Sequence, residues 1–404
     1  MTPDGSTAAC GGIREPAWSE AYCGGAWLLT GYDDVMAALR DPRFSARRAA
    51  RWINSGLNGA QDLRQGSASA HLKFKRVFAR SLLFLDGRAH RRLRDVVQVG
   101  FKPADLQRQA PVIAGIADRL IARIDTEAAA GFDFVQAFAR PLPALVIAGL
   151  LGLAEQVPDE FIDWSADIAA FIGSPTPDPR QTLDAQQALA DMCDFFAQAM
   201  ASGAGVASAG LLARIALARD ENRISGIEAL AQCCTLLFAG YETTRNLLGN
   251  GLLALLRHPG PWAALKAAPQ RLRGAVREML RYDSPVQYTG RRLLADVEIG
   301  GTRMRRGDLA ILHIGAANHD PRRFSDPDRF DIERDEGSHL SFGHGPHVCL
   351  GAALTQLEAE IAFTALMRAM PEAALAPDPP VWQPGAAYRA LARLPMVSRN
   401  NLHA

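Results

Sequence analysis

The sequence predicts a mainly α-helical protein with minor β-sheets. Three observations lead there. From Pro103 to about Arg257 apolar residues recur at helical spacing with few β-branched runs. After Ser284-Pro285 the texture changes to short strand candidates separated by turns. From Leu350 to Met370 the helical period returns.

Taken in order, residues 1–26 read as an irregular N-terminal segment. Trp27–Thr30 is an apolar strand candidate and Tyr32–Arg40 a short helix. Residues 54–70, rich in Gly, Ser, Asn and Gln, read as a mobile loop. Breaks in the helical region are expected at Gly131, at Pro141 and Pro143, at Pro158, at Pro175/Pro177/Pro179 and over Ser202–Gly210. Pro259, Pro261 and Pro269 separate the next helix. Val297–Gly301 reads as a strand running into a turn, and Leu309–Ile314 as another strand. Residues 318–348 are largely irregular, and a connection that long usually carries function. The last thirty residues read as short strands punctuated by proline.

Lys plus Arg is 44 and Asp plus Glu is 43, a net charge of +1. That balance argues against a chain held to nucleic acid by charge. The longest apolar stretches, 142–154 and 229–240, are shorter than the roughly 20 residues of a membrane span. No secretory signal is visible at the N-terminus. A cytoplasmic location without membrane attachment is therefore expected. The six cysteines contain no CxxC pair, so most are expected to be buried thiols.

Phe342-Gly343-His344-Gly345-Pro346-His347-Val348-Cys349-Leu350-Gly351 is the most informative segment. Alternating glycines allow tight turns and close approach to a flat ligand. Cys349 falls where a helical pattern begins, and the backbone N–H groups of a helix start stabilise a thiolate. Two alternatives accompany this reading. A lone cysteine is commonly a small buried apolar residue. His344, His347 and Cys349 would supply three zinc ligands, although zinc usually takes four in spaced pairs and no second pair is found.

The full loop resembles the heme-binding signature of the cytochrome P450 heme-thiolate monooxygenases, and the resemblance runs from about Trp27 to Val397. It is nearest to soluble bacterial members. It implies a cytochrome P450 fold, a single heme-thiolate domain over residues 27–404 with a long central helix crossing over the heme. It also implies heme b (iron protoporphyrin IX), with Cys349 as its axial thiolate and Phe342 among the residues that bind it. Electron donation from such a thiolate favours O–O cleavage.

Ser225-Gly226-Ile227-Glu228 is a capping box that opens a helix running to about Arg257. In its middle lies Ala239-Gly240-Tyr241-Glu242-Thr243-Thr244, polar residues that run against helix propensity. Taken alone they could be a face meeting solvent. The segment resembles the family's oxygen-activation motif. On that match Gly240 leaves room for O2, Thr243 holds the activated oxygen with water, and Glu242 relays protons.

Glu278 and Arg281 share a helical face and resemble the family's ExxR motif, with Arg329 expected to complete a buried Glu-Arg-Arg network. His90, Arg94, Arg291 and His347 match positions that hold the heme propionates. Asp86-Gly87-Arg88-Ala89-His90 departs from the family's usual run of proline and glutamate. From His71 to Arg94 there are eight Lys or Arg and one acid, Asp86. This reads either as a solvated helix face or as a basic patch for an acidic electron carrier.

The resemblance implies a monooxygenase that uses O2 and oxidises a hydrophobic small molecule. Its electrons would come ultimately from NAD(P)H, through a separate ferredoxin and its reductase. Phe74, Phe78, Leu82, Leu83, Phe84 and Phe171 suggest an apolar pocket. The rivals are peroxide-driven or redox-neutral chemistry on the same fold, and a non-catalytic heme sensor or carrier.

Overall fold

The computed structural model describes residues 15–47, 68–127, 131–153, 159–202, 210–385 and 387–398. The helices are α1 Tyr32–Arg40, α2 Ala68–Phe78, α3 Gly87–Val97, α4 Pro103–Glu127, α5 Pro141–Leu151, α6 Asp159–Gly173 and α7 Pro179–Ala201. There follow α8 Leu211–Asp220, α9 Gly226–Arg257, α10 Pro259–Ala267, α11 Leu272–Tyr282, the single turn α12 Ile314–Ala317, and α13 Ala352–Ala369.

The strands are short and, apart from one at Phe132–Asp133, lie in the first fifty residues and the last third of the chain. β1 Ala17–Ser19, β2 Ala26–Leu29, β3 Phe44–Ser45, β5 Thr289–Leu293 and β8 Leu309–Leu312 make one sheet in the order β1-β2-β8-β5-β3. Only β2 and β8 run parallel, with Trp27 opposite Ala310 and Leu29 opposite Leu312; the other pairs are antiparallel. β6 Val297–Ile299 and β7 Thr302–Met304 form a hairpin. β4 Phe132–Asp133, β9 Ala373–Leu375 and β12 Pro395–Ser398 form a second sheet, and β10 Val381–Trp382 pairs with β11 Leu391–Arg393.

The largest apolar core lies among the helices, and a second lies between α1 and the five-stranded sheet. α9 is the axis of the first. Its capping box forms as expected: Ser225 Oγ accepts from Glu228 N–H, and the Glu228 carboxylate accepts from Ser225 N–H. At 1.5 Å per residue its 32 residues span about 48 Å. Residues from Ala229 to Leu255 are buried on most sides, so α9 is a core helix rather than an amphipathic surface one.

Several boundaries differ from expectation. The segment read as irregular contains β1, which pairs with β2 because Ala26 and Leu29 bury against the sheet. Pro141 opens α5 instead of breaking a helix, since a missing N–H costs nothing in a first turn. A π-helical turn, Val135–Ala139, precedes it. Most of the loop expected over 54–70 lies outside the described residues, as does nearly all of the Ser202–Gly210 break.

Candidate functional site

The cysteine loop is built by two left-handed glycines. Gly343 has φ +67° and Gly345 φ +70°. A Cβ on Gly345 would stand 2.8 Å from the Leu39 carbonyl oxygen at the end of α1, so both conformation and space require glycine. Cys349 N–H donates to Phe342 O at 2.8 Å and closes the loop. The helix begins at Ala352, three residues later than the cysteine, yet the N–H groups of Gly351 and Ala352 still reach the sulfur. Burial pushes the Cys349 thiol up, and those N–H groups and Arg94 only partly offset it. The helix start is therefore not enough to hold a thiolate here, and a metal ion would have to supply the rest. Cys349 is accessible to solvent only in the sense that it borders a large internal cavity.

Four basic side chains converge on the same cavity. His90 on α3 is buried, and its Nε2 has no hydrogen-bond partner. Burial, helped by His347 and Arg94, lowers its pKa to about 4, so it is neutral near pH 7. The His347 ring lies 4.2 Å from that of His90, and its Nε2 is 3.3 Å from Asp86 Oδ1. Asp86 is half-buried, which alone would raise its pKa. Bonds from His347, from Ser45 Oγ at 2.5 Å and from Ala46 N–H at 3.1 Å outweigh that and hold it well below the usual carboxylate range. Asp86 thus anchors His347 while α3 starts directly after it at Gly87. Arg94 donates to Val348 O at 2.9 Å and Pro346 O at 3.4 Å, tying α3 to the cysteine loop. Arg291 on β5 donates to Gly290 O at 2.8 Å and Thr289 Oγ1 at 3.1 Å.

His90, Arg94, Arg291, His347, Phe342 and Cys349 all line the cavity. A buried imidazole nitrogen without a partner needs one. A planar ring with anionic edge groups and a metal for the sulfur satisfies it together with the guanidinium groups and the thiol, so the residues fit a heme. Among the described residues no three His, Cys, Asp or Glu gather in a way that could hold a bare metal ion. This goes against the zinc alternative, since His347 is committed to Asp86.

α9 borders the same cavity as the cysteine. Thr243 Oγ1 donates to Ala239 O at 3.1 Å and Thr244 Oγ1 to Gly240 O at 3.3 Å, successive back-bonds to the preceding turn within a continuous helix. Thr243 and Gly240 line the cavity; Glu242 does not. The Glu242 carboxylate is buried and pairs with Arg245 Nη1 at 2.8 Å, leaving Oε2 without a hydrogen bond. Burial raises its pKa, and Arg245 and Asn246 pull it back. Gly240 has a further reason to be glycine: a Cβ would come within 2.9 Å of Ile147 Cδ1 on α5. Its missing side chain lets α5 and α9 pack closely.

The cavity holds about 390 Å³. Leu82, Leu83 and Phe84 line it as expected. Phe74, Phe78 and Phe171 do not: Phe74 stacks on Phe78 and both meet Phe171 edge to face, with ring centroids 4.9 to 6.0 Å apart. Tyr22 and Cys23, in the turn between β1 and β2, line it unexpectedly. Cys23 has φ +51° and its Sγ lies 3.0 Å from Pro175 O. The Cys23-Gly24-Gly25 run is the one sequence signal that marked this turn.

The Glu-Arg-Arg network uses a different second arginine. Glu278 and Arg281 on α11 pair at 2.7 and 2.8 Å and are buried. The third member is Arg334, with Nε 3.3 Å from Glu278 Oε1. Arg329 is a correction: its guanidinium is 69% exposed and 3.7 Å from Asp331. Only its carbonyl joins the network, accepting from Arg281 and Arg334. The basic cluster also divides. Lys73 pairs with Asp194 on α7 and Arg92 with Glu228 on α9, whereas Arg88 and Arg91 are exposed.

Comparison with known proteins agrees with this geometry. The Cytochrome P450 family model matches residues 63–370. The cytochrome P450 monooxygenase PikC of Streptomyces venezuelae is 37% identical over 393 residues, 95% of this chain and 86% of its own. The structure of P450BioI in complex with an acyl carrier protein ligated to hexadec-9Z-enoic acid superposes with a TM-score of 0.85 at 31% identity, covering 97% of this chain and 96% of that one. The tirandamycin C-bound P450 monooxygenase TamI gives 0.83 at 32% identity, covering 98% of both. No helix among the described residues is long and apolar enough to cross a membrane. With a left-handed cysteine loop, basic side chains converging on one cavity and Gly240 and Thr243 of α9 lining it, the chain belongs to the cytochrome P450 family.

Proposed function

We propose that this heme-thiolate monooxygenase oxidises a hydrophobic small molecule, with electrons passed from NAD(P)H through a separate ferredoxin reductase and ferredoxin. The observation that carries the reading is the cavity of about 390 Å³ between Thr243 on α9 and Cys349. When bound, heme supplies the redox centre that activates O2.

The chain's own residues bind, orient and move protons. Cys349 would hold the heme iron through its sulfur. Arg94 and Arg291 would neutralise the propionates, and His90 would offer its unpaired Nε2 to one of them. Leu82, Phe84, Ile172 and Phe238 give the cavity apolar walls that bind substrate by burial and exclude water. Thr243 holds its hydroxyl proton on Ala239 O. Its lone pairs are then available to a cavity water, and rotation of the hydroxyl carries a proton inward. Glu242 can refill that site only by turning from Arg245, so its exchange is gated by one buried ion pair. Arg88 and Arg91 on α3, with Arg76 and Arg80 nearby in sequence, are exposed cations that suit an acidic electron carrier.

The test is reconstitution of the heme-loaded enzyme with NADPH, a surrogate ferredoxin and its reductase, after a compound screen for a blue shift of the Soret band. Oxygenated product formed in step with nucleotide use is expected. Product with hydrogen peroxide but none with the electron chain would establish the peroxide-driven reading. Reduced protein with carbon monoxide should show the far-red-shifted band of thiolate heme, and Cys349→Ser should lose it; a variant that keeps the band has another ligand.

A further inference from the structure

Away from the heme site, two cysteines meet across a helix seam. Cys193 on α7 and Cys234 on α9 are buried, and their sulfur atoms are 3.7 Å apart. Lys73 on α2 stands beside them, donating to Ala190 O at 3.3 Å and pairing with Asp194 at 2.5 Å. The two thiols are not equivalent. The hydrogen bond with Cys234 lowers the pKa of Cys193 against burial, with help from Lys73. Burial raises Cys234. Cys234 also borders a separate void of about 20 Å³. Leu83, Phe84, Ile172, Thr235 and Phe238 line both that void and the large cavity. A void of this size takes one molecule about as large as water.

We propose that Cys193 and Cys234 form a disulfide driven by hydrogen peroxide, which fastens α7 to α9. Peroxide is the two-electron product of O2 when substrate oxidation fails, so it arises a few residues from the void. The Cys234 sulfur, which borders the void, attacks one peroxide oxygen and the O–O bond breaks. The departing hydroxide takes up the proton from Cys234 and leaves as water. The Cys193 sulfur, 3.7 Å away, then attacks the Cys234 sulfenic acid. An S–S bond forms, the S–O bond breaks, and the Cys193 proton leaves with the hydroxyl as a second water. Two thiols lose two electrons and the peroxide gains them.

Only a small movement is needed, from 3.7 Å to the ~2.0 Å of an S–S bond. The Cys23 sulfur lies 3.0 Å from the Pro175 carbonyl oxygen. The consequence follows from what α7 carries. Ser174 and Pro175, between α6 and α7, line the large cavity, and α7 packs against both α6 and α9. A bond from α7 to α9 restrains that roof, so an enzyme leaking peroxide would slow its own ligand exchange.

Heme-loaded enzyme is treated with a few equivalents of hydrogen peroxide, its remaining thiols are alkylated in denaturant, and it is digested without reductant. The expected result is a Cys193–Cys234 linked peptide that a phosphine reductant removes. The carbon monoxide spectrum of the same sample should keep its thiolate band. Release of 4-phenylimidazole from the heme, followed by stopped flow, should slow by on the order of tenfold in the oxidised wild type. It should stay unchanged in oxidised Cys193→Ser, which removes one sulfur with the smallest change of side-chain shape and whose folding is checked by its thiolate carbon monoxide band. Recovery of both cysteines as alkylated thiols while Cys23 is oxidised overturns the disulfide. A linked peptide with unchanged release overturns the restraint on the roof.

Discussion

Replacing Arg334 with Met should cost far more than the same change at Arg329, although both are arginines of one irregular connection. The Arg334 guanidinium is 7% exposed. It reaches Glu278 at 3.3 Å, Glu336 at 2.5 Å, and the carbonyls of Ser325 at 2.6 Å, Asp326 at 3.1 Å and Arg329 at 3.1 Å. Stranding one partner of a buried ion pair costs roughly 3–5 kcal/mol. Glu278 keeps Arg281, which places the loss near the lower end, about 3 kcal/mol. The unpaired carbonyls add to it, because a hydrogen bond to a charged donor is worth about 1.5–3 kcal/mol. Arg329 has one exposed contact with Asp331, worth no more than about 1 kcal/mol. The network holds the connection that leads into the cysteine loop, so heme retention should fall with stability. The assay is the apparent unfolding temperature at fixed scan rate, with the fraction of protein giving the thiolate carbon monoxide band. Arg334→Met should lower the temperature by about 5–10 °C and lose heme, and Arg329→Met should do neither. Equal effects from the two variants, or a wild-type Arg334→Met, would refute the assignment.

Other outcomes follow from the same geometry. Thr243→Ala should bind heme and substrate normally but release hydrogen peroxide in place of product; unchanged product per nucleotide would move the proton task to Thr244 or water. Glu358 on α13 is buried, its Oε1 has no partner, and burial raises its pKa to about 8. Above its ordinary value near 4.5 the unfolded chain gives up this proton while the folded one keeps it, so wild-type stability falls as pH rises toward 8. Glu358→Gln does not titrate, and its stability advantage should widen by up to about 3 kcal/mol between pH 5 and pH 8. The same advantage at both pH values would show that the carboxylate has a charged partner when heme is bound. Arg88→Glu with Arg91→Glu should slow reduction by ferredoxin through association and leave dithionite reduction alone. The difference should shrink as the Debye length falls from roughly 10 Å at 0.1 M salt to about 3 Å at 1 M. A double variant with the wild-type salt slope would leave these residues as a solvated helix face.

The sequence by itself determined whatever depends on neighbours along the chain. Glycines at 343 and 345 mark a loop that no other residue could form, and Cys349 follows within it. Ser225 and Glu228 sit three apart and cap α9, because a capping box closes within one turn. Glu278 and Arg281 pair for the same reason. The tertiary structure decided every partner chosen at long range. Arg334 and not Arg329 completes the Glu278 network, because the turn after Asp331 folds its side chain back toward α11 while Arg329 points outward. Phe74, Phe78 and Phe171 pack on one another instead of lining the cavity, and Tyr22 and Cys23 enter it from a hairpin turn far away in sequence. Glu242 turns to Arg245 instead of the cavity because a buried carboxylate takes the nearest cation. Cys193 and Cys234, 41 residues apart, touch only because α7 crosses α9 at that height. Short-range patterns fix backbone shape and local pairs; which side chain faces which cavity depends on how helices pack, and that is set by burial summed over the whole core.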